Sequence, residues 1–136
     1  MKGGIILLLM ISFCGEVAYA DKSIKPFTSD GCSAFPDGTP DEKHLWLDCC
    51  VAHDLSYWQG GSRAERKAAD QALRTCVEQV GKPAIASLML TGVRVGGTPY
   101  LPTTFRWGYG WPYLRGYKPV TSEEKKQIEQ ILDESR

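Results

Sequence analysis

The sequence predicts a mainly α domain: an antiparallel helix pair clamped by a disulfide, a loop ahead of it, and an irregular, aromatic-rich C-terminal half. Two capping boxes, Thr39 to Glu42 and Ser62 to Glu65, lie on either side of Gly60-Gly61, so two helices should meet at a tight turn. Cys49 and Cys50 fall in the first helix and Cys76 in the second, close enough in register to be bridged. Residues 92–119 are rich in Gly, Pro and aromatics and carry no helical period.

Residues 1–20 read as an export signal. Lys2 supplies the positive start, Ile5 to Phe13 is apolar, and Ala18-Tyr19-Ala20 is a small-x-small site with cutting expected after Ala20. The apolar run is too short to span a bilayer. The rival reading is a lipoprotein acylated at Cys14, but Phe13 stands where a small residue is expected. Cutting after Ala20 discards Cys14 and leaves Cys32, Cys49, Cys50 and Cys76, an even set that suggests two disulfides in an exported domain, secreted or periplasmic. Residues 21–136 form one domain, since 136 residues give no room for two.

Residues 21–38 contain Ser29-Asp30-Gly31 and Phe35-Pro36-Asp37-Gly38 and read as loop. Thr39 as N-cap and Pro40 at the first helical position start a helix that should run to about Trp58. Trp46, Cys49, Cys50, His53 and Tyr57 share one face of it. Ser62 caps a second helix, ending near Val80, with Ala69, Leu73, Cys76 and Val80 inward and Asp70 and Val77 on the flank. A short third helix is expected over Ala84 to Leu90, and strands over Val93 to Val95 and part of Thr104 to Trp107. Thr121 or Ser122 caps a last amphipathic helix with the stripe Ile128, Ile131 and Leu132.

Charge narrows the partners. The chain has 16 Lys+Arg and 16 Asp+Glu, and losing Lys2 and Glu16 leaves 15 of each. A neutral chain has no cation excess for nucleic-acid phosphates or for bulk attraction to anionic membranes. Local patches remain: Arg94, Arg106 and Arg115 are candidate phosphate holders, and the tract 105–113 reads either as core or as a surface for the water–lipid boundary.

The chemistry is carried by residues 48–57. His53 and Asp54 are adjacent on a helix, so their side chains diverge by about 100° and do not form a base–orienter pair. They can serve one cleft as a base and a metal ligand. His53 then needs another carboxylate to fix its tautomer. Asp70 is the candidate: His53 lies seven residues before Gly60 and Asp70 nine after Gly61, at similar height on returning helices. The competing reading is an exposed Asp70 paired with Arg66 or Arg74. Cys76 lies further along, facing the Cys49-Cys50 pair. Cys32 is left for the other member of that pair and would tie the loop beside Asp54. One carboxylate and several loop carbonyls suit a hard cation such as calcium.

The string Cys49-Cys50-x-x-His53-Asp54-x-x-Tyr57, with Asp70 and Cys76 downstream and Cys32 upstream in a Gly-containing loop, resembles the secreted phospholipase A2 superfamily. The resemblance covers residues 31 to about 80. It implies the bridges Cys49–Cys76 and Cys32–Cys50. It implies that His53 activates water, Asp70 orients His53, Tyr57 hydrogen-bonds Asp70, and Asp54 binds calcium together with the Gly31, Ser33 and Phe35 carbonyls. Ser56 stands where animal members usually have cysteine, and the Gly-Gly hairpin is similar to compact microbial or viral members. The loop lacks the usual Gly-x-Gly, so Asp37 or the Gly38 backbone are further candidates for the ion.

The expected function is calcium-dependent hydrolysis of the sn-2 ester of phospholipids, with a phospholipid or membrane surface as partner, no nucleic acid, and no protein partner specified. The alternatives are a non-catalytic scaffold binding calcium, lipid or a protein, and a plain disulfide-stabilised domain.

Overall fold

The computed structural model describes residues 22–136; the expected export signal and its cleavage point lie outside the described residues. The chain is mainly helical: α1 (Leu47–Gln59), α2 (Arg63–Gln79), α3 (Pro83–Gly96) and α4 (Ser122–Glu134) follow in order, with no strand among the described residues. No helix among them is long and apolar enough to cross a membrane.

Local chemistry explains most boundaries. Ser62 Oγ accepts from the Glu65 N–H at 3.2 Å while Glu65 Oε2 accepts from the Ser62 N–H at 2.7 Å, a complete capping box opening α2. Thr121 and Glu124 repeat it for α4. Pro83 sits at the start of α3, where its missing N–H costs nothing.

Two expectations are corrected. The first helix begins at Leu47, not near Pro40, because only half of its capping box forms. Thr39 Oγ1 accepts from the Glu42 N–H, but the Glu42 carbonyl turns back to accept from the Thr39 and Leu45 N–H groups. Residues 39–46 are therefore turns, and Trp46 is held to the loop through its indole N–H on the Pro36 carbonyl at 2.6 Å. The third helix runs on to Gly96, so Val93 to Val95 are helical, and residues 104–107 form turns; neither is a strand. Packing of Ala86, Met89 and Val93 against the α1–α2 core overrides the β preference of that stretch.

Two disulfides join the elements: Cys49–Cys76 links the start of α1 to the end of α2, and Cys32–Cys50 ties the preceding loop to α1. One apolar cluster gathers Trp46, Cys49, Cys50, Leu73, Val77, Ala86 and Met89. A second gathers Ile24, Trp58, Trp111 and Ile128, with Ile131 and Leu132 of α4 packed against it.

The C-terminal end of α1 is finished by residues 107–111. The indole N–H groups of Trp107 and Trp111 donate to the Gly61 and Gln59 carbonyls at 2.8 Å, and the Gly108 and Gly110 N–H groups donate to the Tyr57 and Trp58 carbonyls. Tyr57, Trp58 and Gln59 lie in the last turn of α1, where carbonyls lack the i+4 partner within the helix and need others when buried. Gly60, at φ +68°, permits the approach: a Cβ there would lie 2.9 Å from the Gly108 Cα. Trp107 and Trp111 are thus core, whereas Phe105 and Tyr113 of the same tract are exposed.

Candidate functional site

His53 and Tyr57 are one turn apart on α1, and their rings lie 4.2 Å apart, centre to centre. Both meet Asp70 of α2. His53 Nε2 is 3.0 Å from Asp70 Oδ1, and the Tyr57 hydroxyl donates to the same oxygen at 2.6 Å. Asp70 is 0 % exposed, which overturns the reading of it as a surface residue pairing with Arg66 or Arg74. Arg74 pairs instead with Glu78. A carboxylate only accepts, so His53 carries its proton on Nε2. Nδ1 takes no hydrogen-bond partner among the described residues.

Sequence reasoning gave two cations of this network other roles. Arg94 Nε lies 2.6 Å from Asp70 Oδ2, a close charge contact rather than an aligned hydrogen bond. Arg66 Nε donates to the Tyr57 hydroxyl at 3.0 Å, and its other nitrogens reach the Val93 and Arg94 carbonyls and the Tyr117 hydroxyl. Burial, then the bond to Asp70, holds the Tyr57 phenol well above its ordinary range, so it stays a donor. Gly97 leaves the space Tyr57 needs, since a Cβ there would lie 2.5 Å from the tyrosine ring. The Arg66 signal was present as its four-residue spacing from Asp70, but that spacing suggested the wrong acceptor. Arg94 had no local signal.

Asp54 is buried beside this network, 8 % exposed, in a different environment. Ser29 Oγ, which the sequence did not single out, donates to its Oδ2 at 2.7 Å. No Lys or Arg pairs with it among the described residues. Burial therefore pushes its carboxyl up to about 6, against the lowering effects of Ser29 and His53. Gly31, Ser33 and Phe35 line the same cavity as Asp54 and His53. Their carbonyls accept no hydrogen bond among the described residues. Asp54 and these loop residues thus border one cavity, and they are the residues a hard cation there would draw on. Asp37, the other candidate, uses its Oδ1 to accept from the Cys32 N–H at 2.9 Å and holds the loop shut. No group of three or more His, Cys, Asp or Glu side chains placed for a metal occurs among the described residues.

The cavity has a volume of about 530 Å³. Its polar residues His53, Asp54 and Tyr57 face an apolar wall that includes Leu73, Met89 and Val93, and Leu88, Val95 and Phe105 are exposed large hydrophobics along it. The three arginines considered for phosphate are all engaged within the chain: Arg94 with Asp70, Arg106 with the Thr103 and Trp111 carbonyls, Arg115 with Glu124. Comparison with family models, with curated proteins and with solved structures gave no match.

Proposed function

We propose that the protein is an exported, calcium-dependent lipid hydrolase of the phospholipase A2 type, cleaving the sn-2 ester of phospholipids at a membrane surface. One observation carries this reading: His53, oriented by a buried Asp70 that Tyr57 also contacts, opens onto a large apolar cavity that Asp54 shares. In this reading α1 and α2 are an antiparallel pair whose disulfide keeps His53 in register with Asp70.

His53 Nδ1 takes a proton from water as the water oxygen adds to the ester carbonyl. Asp70 holds the ring in place and balances the imidazolium charge, and Tyr57 fixes Asp70. The tetrahedral intermediate then collapses. The C–O bond to the leaving alcohol breaks, and His53 returns its proton to that oxygen. The apolar wall takes the acyl chain, with burial worth about 0.8 kcal/mol per methylene. Calcium, held by Asp54 and the Gly31, Ser33 and Phe35 carbonyls, would supply positive charge for the ester oxygen and the phosphate.

A non-catalytic calcium- or lipid-binding scaffold is the second reading. It is favoured by Ser29, which already engages one Asp54 oxygen. Fatty acid release from mixed phospholipid vesicles, in calcium and in chelator, separates the two. Calcium-dependent release supports hydrolysis, and calcium binding without release supports the scaffold.

A further inference from the structure

We propose that a second cavity bordering Asp70 is a binding site for a phosphate-class oxyanion. This cavity, of about 210 Å³, is distinct from the one that His53 and Asp54 line. Its walls carry Arg63, Arg66, Lys67 and Arg94, and its one carboxylate is Asp70. That carboxylate is 0 % exposed and already engaged by His53, Tyr57 and Arg94. The wall therefore holds four cations against one committed anion, in a chain that is neutral overall.

Arg66 anchors this wall. Its guanidinium is buried, yet its partners are two hydroxyls and two carbonyls, none of them a carboxylate. Burial disfavours its charge, and the Tyr57 and Tyr117 hydroxyls more than offset that, so Arg66 holds the wall in place with most of its N–H groups already used. Arg63 lies over the Tyr117 ring at 5.0 Å, and neither it nor Lys67 has an ion-pair partner among the described residues. Elsewhere Arg74, Arg115 and Arg136 each meet a carboxylate. Four cations are thus gathered at one concave wall, where the field of like charges is focused.

The chemistry of that wall selects the ligand class. Guanidinium groups present planar forks that match phosphate oxygens. Tyr117 accepts from Arg66, so its own O–H remains free to donate. A monocarboxylate would leave most of the excess unmatched, whereas a phosphate dianion offsets two charges and offers several acceptor oxygens. Asp70 lines this cavity, meets Arg94 within it and meets His53 outside it, so an anion there reaches His53 through one shared carboxylate.

The test is direct binding, independent of hydrolysis. Titrate the full chain with inorganic phosphate at constant ionic strength by calorimetry, and follow arginine Nε–H signals by NMR. Saturable millimolar or tighter binding is expected, with the largest shifts at Arg63, Arg66 and Arg94. The double variant R63Q/K67Q, which removes two exposed cations, should bind roughly tenfold more weakly. R136Q, a single-charge control outside the cavity, should bind as the wild type does. The wild-type NMR map stands even if the double variant folds poorly. Vesicles of phosphatidylglycerol in phosphate-free buffer, set against phosphatidylcholine, identify the source. Perturbation of the same arginines by the anionic vesicles assigns a lipid headgroup, and response to inorganic phosphate alone assigns the free ion. No saturation, equal weakening in R136Q, or shifts spread over all arginines would overturn the proposal.

Discussion

Asp70 and Asp54 are both buried carboxylates beside His53, and they are held in opposite ways. Asp70 is surrounded: His53 and Tyr57 share one oxygen and Arg94 faces the other. Asp54 has Ser29 and, among the described residues, no Lys or Arg, and its carboxyl is pushed up to about 6 by burial. A fully engaged carboxylate can orient a base but has little left for a ligand. An under-engaged one destabilises the empty fold and gains from a cation. Under the proposed function, the difference separates a positioning role for Asp70 from a binding role for Asp54.

The comparison breaks most visibly at the two bridges. Removing Cys49–Cys76 by paired serine substitution should cost about 3–4 kcal/mol in urea unfolding, for a closed loop spanning 27 residues. Removing Cys32–Cys50, which spans 18, should cost about 3 kcal/mol. The second change should also lower calcium affinity while leaving the His53–Asp70 contact, because it frees only the loop beside Asp54.

Matched Asp→Asn substitutions should then give opposite signs. Asp70→Asn removes the counter-charge of Arg94 and should cost roughly 2–4 kcal/mol of stability. Asp54→Asn should raise calcium-free stability by about 1 kcal/mol, since it removes a buried charge that lacks a Lys or Arg partner. The same variant should lose calcium binding by more than tenfold, about 1.4 kcal/mol, in calorimetry. Loss of stability in Asp54→Asn without calcium would erase the contrast.

The smallest effects are in pH. The folded Asp54 carboxyl titrates near 6, above its ordinary 3.8, so its contribution favours the fold below about 4 and fades as pH rises through 6. Calcium affinity should fall in the reverse direction, as protons compete below pH 6. Glu124 has the opposite sign. Its bond to Arg115 holds it near 2, so its contribution is present above its ordinary 4.5 and is lost as pH falls through about 2. Glu124→Gln should remove the acid-side slope, and Asp54→Asn the slope between 4 and 6, in thermal melts.

Much of the centre was legible in the sequence because it is written in side-chain patterns of short range. Ser62 with Glu65 capped α2 as its spacing implied, and of the two candidates Thr121 and Ser122 it is Thr121 that caps α4. The cysteine pairing followed the family resemblance. The start of α1 was not legible, since the same Thr39-x-x-Glu42 spacing also suits a turn that uses the Glu42 carbonyl. The roles of Trp107 and Trp111 were hidden because their indoles bond to backbone carbonyls, which every residue supplies. Arg94 reached Asp70 only because α3 extends past Leu90, and that extension depends on packing rather than on propensity.

The central claim is that His53 is the proton acceptor and Asp54 the separate metal ligand. It is tested most directly by measuring His53→Gln beside the wild type, with calcium calorimetry and vesicle hydrolysis on the same preparations. The account predicts unchanged calcium affinity and a fall in hydrolysis of roughly 10²–10⁴-fold, because the amide cannot accept the proton. Hydrolysis at the wild-type rate in His53→Gln, or no calcium binding by the wild type at millimolar concentration, would contradict it.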